Sequence, residues 1–262
     1  MCIRDRLERS CLRVHIAGDN GVCQAIDPAF IGSFTTTFFP VVNPERQLKS
    51  YPTVLPSRAR ISPDGRFASS TGFISGSSYE DISAEAATLL TIDEIGSLDN
   101  PRTGSSFVVN ANDSRYDNAP QYWGLTFGAD DDFYVTGFFE GAPEIMHGSL
   151  DTLEITPTGW VGSCPSLSPD GESLVFKEER DGGGFDLVLV DIATQERRVL
   201  DESRSVDDQV EWLDNDTILY ALHPEGGDNA VQPEFDIWML DTAPGSEPVL
   251  FLPNADSPAV AR

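Results

Sequence analysis

Ser62-Pro63-Asp64-Gly65 and Ser168-Pro169-Asp170-Gly171 are one tetrapeptide written twice in the same chain. Each suits a type I turn: Ser accepts at the first position, Pro fixes φ at the second, and Gly tolerates the fourth. Each is preceded by a short strand-like run, Ala59-Arg60-Ile61 in one case and Pro165-Ser166-Leu167 in the other. A second run follows, Arg66 to Phe73 and Ser173 to Lys177 respectively. These are two copies of one hairpin.

Working outward, degenerate copies of the turn stand at Gly18-Asp19-Asn20-Gly21, Gly128-Ala129-Asp130-Asp131 and Leu213-Asp214-Asn215-Asp216. Successive turns are about 40 to 45 residues apart, with one gap of about 66, which is the period of a propeller blade. A second marker agrees. Hydrophobic runs ending in Asp or Asn recur at Thr37 to Asn43, Leu89 to Asp93, Ile145 to Asp151, Leu187 to Asp191 and Ile237 to Asp241.

Two markers in constant order imply four strands per unit, labelled a to d. The fourth unit reads Cys164 to Leu167, Ser173 to Lys177, Phe185 to Ile192 and Arg197 to Leu200. The fifth reads Gln209 to Leu213, Thr217 to Leu222, Phe235 to Leu240 and Pro248 to Leu252. Alternation, as in Phe185/Leu187/Leu189, favours strands over helices; only Ala84 to Leu90 has a helical composition. The expectation is an all-β chain, a β-propeller of four-stranded antiparallel blades. It has five complete blades plus part of a sixth, whose inner strand is Ser257 to Arg262.

The 262 residues suffice for one large all-β domain, and 40% hydrophobic residues can fill its core. Forty-three acidic residues stand against 17 basic ones, a net charge of -26. Such a field repels phosphate backbones, which argues against nucleic acid and against anionic lipid headgroups as partners. It suits a basic partner, calcium or a salty medium, or simply keeps the chain soluble. Only Lys49 and Lys177 are lysines, so a lysine-based nucleotide or Schiff-base site has little to work with.

The cysteines Cys2, Cys11, Cys23 and Cys164 have no C-x-x-C spacing, against a zinc knuckle. A tight turn at Asp19-Asn20-Gly21 would set Gly18, not Cys11, opposite Cys23; a Cys11–Cys23 disulfide needs a looser loop. No apolar run reaches the roughly 18 residues that span a membrane. Met1 to Leu12 is too charged for a signal peptide. Its opening Met-Cys-Ile-Arg-Asp-Arg resembles the ends of truncated translated assemblies. Residues 1–10 are therefore expected to be a non-native or disordered start, and 11–262 a single propeller domain that lacks its native N-terminus.

Ser-Pro-Asp-Gly before a hydrophobic strand, the loop Arg180-Asp181-Gly182 and the run Leu187-Val188-Leu189-Val190-Asp191 together resemble the repeat of six-bladed TolB-like propellers. The resemblance runs from about residue 11 to 262. Cys164-Pro-Ser-Leu-Ser-Pro-Asp-Gly, Ser205-Val-Asp-Asp-Gln-Val-Glu-Trp-Leu and Ser257-Pro-Ala-Val further resemble an actinobacterial TolB-like group. The resemblance implies ring closure by strands from both chain ends. It also implies a non-catalytic binding or scaffold role outside the cytoplasm, where such a ring docks on a lipoprotein. Enzymes are the alternative, since similar propellers gate serine peptidases and a few carry lyase sites.

Catalytic motifs are missing from the sequence: there is no G-x-S-x-G elbow, no H-E-x-x-H and no P-loop. His15, His147 and His223 fall in three different blades, as satisfied polar residues rather than ligands. Gly182-Gly183-Gly184 opens no helix and reads as a hairpin loop. Asp130-Asp131-Asp132 and Asp214-Asn215-Asp216 offer oxygen ligands for calcium, but they lack EF-hand spacing and sit where turn formers are wanted. No cofactor is expected. Trp123, Trp160, Trp212 and Trp238 read as packing residues between blades, with an aromatic ligand platform as the alternative.

Function is left to loops. The longest irregular stretches are Ile74 to Ala86, Leu98 to Gln121 and Pro224 to Glu234. With strands running up and down, b–c loops and d–a connections share one side, opposite the a–b turns. That side offers Tyr79, Arg115 and Tyr116 as anchors for a protein or peptide, within an acidic rim of Glu80, Asp81, Asp113 and Asp117. The alternative is that these loops are disordered insertions. The Ser62 to Gly65 and Ser168 to Gly171 turns are expected to be structural.

Overall fold

A computed structural model describes residues 10–30, 32–75, 88–97, 99–111, 113–116, 121–223 and 235–261. Five antiparallel sheets follow one another in chain order as the blades of a β-propeller. Blade one comprises β1 (Arg13–Ala17), β2 (Asn20–Ile26), β3 (Phe34–Pro40) and β4 (Lys49–Thr53). Blade two comprises β5 (Leu55–Ile61), β6 (Phe67–Phe73), β7 (Thr88–Glu94) and the two-residue β8 (Arg102–Thr103). After β9 (Val108–Val109), blade three is β10 (Gln121–Phe127), β11 (Asp132–Phe139), β12 (Ala142–Ser149) and β13 (Glu154–Val161). Blade four is β14 (Ser163–Leu167), β15 (Ser173–Glu179), β16 (Phe185–Asp191) and β17 (Arg197–Val199). Blade five is β18 (Glu211–Trp212), β19 (Thr217–Leu222), β20 (Asp236–Asp241) and β21 (Val249–Leu252).

The repeated tetrapeptide builds nearly the same turn twice. In blade two the Ser62 hydroxyl donates to Asp64 Oδ1 (2.6 Å) and accepts from the Phe67 amide (2.8 Å). Gly65 N donates to Ser62 O across 2.8 Å. In blade four Ser168 donates to Asp170 Oδ1 (2.6 Å), Ser173 N donates to Ser168 Oγ (2.9 Å), and Gly171 N closes on Ser168 O (2.9 Å). Gly65 and Gly171 take φ of 73° and 76°, a region where a side chain is strained.

The core lies in layers between successive blades. One apolar cluster spans blades two and three, including Phe67, Ile92, Leu125 and Phe133; another spans blades four and five, including Val175, Leu187, Trp212 and Tyr220. The inner strands are buried on both faces: β6, Phe-Ala-Ser-Ser-Thr-Gly-Phe, at every position, and β10 from Tyr122 to Phe127.

The chain divides into two compact units: a first running through Val161 and joined by the last residues from Ala259, and a second from Gly162 to Pro258. Blades one to three belong to the first, blades four and five to the second.

Four expectations are corrected. The first hairpin turns at Gly18-Asp19, with Ala17 opposite Asn20 and Val14 opposite Cys23. Gly18 accepts φ 54°, and the Asn20 amide is engaged with Gly65 O at 2.9 Å, so the turn moves toward the N-terminus. Cys11 and Cys23 then form a disulfide, their Cα atoms 5.4 Å apart. Among the described residues, 257–261 form no sixth-blade strand. Ser257 sits at φ 51° and Pro258 has no amide to give a ladder. The described residues therefore form five blades, where the TolB-like propellers that the sequence resembles have six. Finally, Thr88 to Leu90, read as a helical composition, belongs to β7, and Ala84 to Ala87 lie outside the described residues.

Candidate functional site

The connection from blade two to blade three, read as a loose loop, is stapled along its described length. After a 3-10 turn at Gly104–Ser106, Phe107 enters the core between Tyr122 and Phe133, with ring centroids 5.5 and 5.1 Å away. Next, β9 lies parallel to β13 as a fifth strand of blade three. Val108 N donates to Leu153 O (2.9 Å) and Asn110 N to Ile155 O (2.8 Å). The segment then reaches a second 3-10 turn, Ser114–Tyr116, whose start is fixed by Asp113: its Oδ1 accepts from Arg115 N at 3.0 Å.

At this tip Tyr116 points inward, 7% exposed, packed edge-on against Phe139 with centroids 4.7 Å apart. Its hydroxyl donates to Glu144 Oε2 at 2.8 Å, while Glu144 Oε1 accepts from Gly159 N at 3.2 Å. Burial, then the hydrogen bond to Glu144, pushes the Tyr116 phenol up to about 12. Arg115 lies over the Tyr116 ring at 4.5 Å and pairs with Glu144 and Asp113, both at 3.4 Å. Its side chain is 45% exposed. Tyr116 is thus the support of the site, not an exposed anchor; Arg115 and Asp113 are what the surface shows. Tyr79, Glu80, Asp81 and Asp117 lie outside the described residues, as does Pro224 to Glu234.

In the first unit, the ends of two long stretches converge. Thr88, which closes the β6–β7 connection, donates its amide to Gln121 Oε1 (3.2 Å) and its hydroxyl to Tyr122 O (3.1 Å), where β10 begins. The opposite end carries the turns, including Asp131, which is ion-paired to Arg66.

The device at Tyr116 recurs, unforeseen from sequence. Between blades one and two, Tyr51 OH donates to Asp93, which also pairs with Lys49 at 3.0 Å. Between blades four and five, Tyr220 OH donates to Glu202, which takes two bonds from Arg204, at 2.8 and 2.6 Å. Each joins a phenol, a carboxylate and a cation, and in each the cation lies over an aromatic ring, that of Trp238 at 3.9 Å for Arg204. Burial alone would raise the Glu202 carboxyl. The hydrogen bonds from Arg204 and Tyr220 outweigh it and hold the group below its ordinary range. The phenol and carboxylate of each cluster are 18 to 42 positions apart, so only the folded packing brings them together.

Other candidates have plain occupations. His15 Nδ1 accepts from Ile61 N at 3.0 Å; His147 stands by Asp132 at 3.6 Å; His223 lies against Phe235. Trp212 donates to Ser166 O at 3.0 Å inside the second unit. In the acidic turns Asp214 Oδ1 caps Asp216 N (3.0 Å) and Asn215 accepts from Asp170 N (3.2 Å). Among the described residues no three His, Cys, Asp or Glu side chains are grouped to hold a metal ion, and no helix is long and apolar enough to cross a membrane.

No family model and no curated sequence matches the chain. Solved structures do. A putative TolB from Agrobacterium tumefaciens is similar with a TM-score of 0.61 at 11% identity, over 95% of this chain and 84% of that one. TolB from Acinetobacter baumannii gives 0.62 at 15% identity, over 93% of this chain and 55% of that one. A puromycin-hydrolyzing peptidase from Mycobacterium tuberculosis gives 0.54 at 15% identity, over 92% of this chain but 37% of its own length. What these likenesses carry at such identities is the fold, and with its five successive antiparallel blades the chain is a β-propeller of the kind those TolB proteins display.

Proposed function

We propose that the chain is a non-catalytic binding module, acting outside the cytoplasm, that presents the end of its first unit around Arg115 to a protein or peptide partner. The observation that carries this is the stapled connection. A long segment is pinned by Phe107, by β9 and by the Tyr116–Glu144 bond, and the cation at its tip is left exposed. Rigid presentation of an Arg lowers the ordering cost of association and suits an interface anchor. Asp113, with Tyr79, Glu80, Asp81 and Asp117 from the flanking segments, completes the proposed surface.

The Cys11–Cys23 disulfide supports an oxidising compartment, where such bonds persist. The TolB-like repeat and the TolB neighbours support a scaffold rather than a catalyst. Likeness to a peptidase of which this chain spans about a third favours one second reading, the propeller portion of an enzyme whose chemistry lies elsewhere.

A photo-crosslinking residue placed at position 115, and separately at position 64 at the opposite end, tests the reading in the full-length protein. One discrete crosslinked partner from 115 and none from 64 supports it. Equal labelling from both, or hydrolase or lyase turnover by the full-length protein with or without divalent metals, overturns it.

A further inference from the structure

The outer strand of a sheet, where nothing covers it, has an edge of unpaired backbone groups, a template that proteins normally blunt. Blade one ends in β4, which carries Lys49 and Pro52; blade two ends in a strand of two residues; blade four ends in Arg197-Arg198-Val199. In blade three the edge is covered by β9. Blade five differs. Its β21 is Val249-Leu250-Phe251-Leu252, without a charge, and Val249, Leu250 and Leu252 are 53%, 46% and 36% exposed. Among the described residues β21 is bonded to β20 alone.

We infer that this edge takes up an extended segment of a partner protein in which apolar residues alternate with Lys or Arg. Charge decides the chemistry of the occupant. From Ser205 to Ala261 the sequence holds twelve Asp and Glu and no Lys or Arg, and Glu247, Asp241 and Asp256 around β21 are all exposed. An added basic strand would gain main-chain hydrogen bonds along the edge, apolar contact with Leu250 and Leu252, and attraction from this field. A second copy of the chain, itself at -26, would meet repulsion instead. The register shift between the Ile237–Leu252 and Trp238–Leu250 pairs keeps the usable edge short. The edge belongs to the second unit, whereas Arg115 belongs to the first.

The test titrates the whole protein with a ten-residue peptide alternating Val and Lys, read by amide NMR. Its comparators are the same peptide N-methylated at alternate residues and a Val/Glu version. Shifts confined to 249–252 and the facing part of β20 are expected, with binding at least tenfold weaker for both comparators and for the Leu250→Lys and Leu252→Lys variants. If a variant fails to fold, the N-methylated comparison on the unmodified protein still decides. Equal binding of the N-methylated peptide, shifts scattered over the acidic surface, or a homodimer in sedimentation that Leu250→Lys dissolves would each overturn the proposal.

Discussion

The clusters built on Glu202 and Glu144 use the same three groups to different ends. At Glu202 the cation Arg204 is sandwiched against Trp238 with its side chain 24% exposed, and the carbonyls of Glu202, Ser203 and Arg204 are each taken by Arg180. At Glu144 the phenol is equally inward, but Arg115 is 45% exposed with Asp113 beside it. A buried carboxylate needs paired donors to offset its desolvation. Blade five meets that need with Arg204 and Tyr220 together; blade three meets much of it with Tyr116 and the Gly159 amide, which frees Arg115 for solvent. One device is closed and structural, the other is open on one side.

The largest expected effect breaks the closed cluster. Glu202→Ala strands a partly buried guanidinium and the Tyr220 hydroxyl, and removing one partner of a buried pair costs about 3 kcal/mol or more. Denaturant unfolding should show it as a lower midpoint at unchanged slope. The same cluster sets a pH dependence. The folded Glu202 carboxyl titrates below its ordinary 4.5, so its contribution is complete above that value and is lost as pH falls through the lower folded value. Thermal melts between pH 6 and 3 should therefore fall more steeply for the native protein than for Glu202→Gln. Parallel curves would show that the carboxylate is not what holds the cluster.

Gly171→Val provides a control at the a–b turn of blade four. A β-branched residue at φ 76° costs roughly 1 to 3 kcal/mol. The melting temperature should drop, while binding by the surviving folded protein is unchanged. Loss of binding with unaltered stability would instead make these turns part of a recognition surface.

How much of this was legible in the sequence follows the range of the interactions. In Ser168-Pro169-Asp170-Gly171 the bonds that shape the turn close within five residues, so the turn, its strands and the blade period could be read directly. The five-strand form of blade three could not. Val108-Val109 pairs with residues some 46 positions away, and two residues of parallel ladder leave no periodic trace. The first hairpin was misread by two positions because Gly18 and Gly21 both tolerate the turn, and only Asn20 reaching Gly65 of the next blade decides between them. Arg115 was correctly read as lying on a long connection. That Tyr116 would turn inward depended on Glu144 and Phe139, which the sequence does not bring near it.

Smaller effects probe the open cluster. Tyr116→Phe keeps the ring against Phe139 and removes one bond to Glu144, costing about 1 kcal/mol by calorimetry or denaturant titration. It should also loosen the tip, since Phe107, β9 and the ring packing would then hold the segment to blade three without the Glu144 bond.

Arg115→Ala should be the least visible of all in stability and the most visible in binding. Its ion pairs with Asp113 and Glu144 are at 3.4 Å on a half-exposed side chain, and exposed pairs contribute about 0 to 1 kcal/mol. Glu144 keeps Tyr116 and Gly159 as donors, so no buried carboxylate is left bare. Unfolding midpoints should therefore shift by no more than about 0.5 kcal/mol. Binding to the partner found by crosslinking at position 115 should weaken by about 1 to 2 kcal/mol, the range of an interface anchor. Arg204→Ala in blade five should do the reverse, lowering stability while leaving that binding intact. A stability loss at Arg115 matching the one at Arg204 would mean that the two clusters are the same structural device, and that the exposure of Arg115 serves no partner.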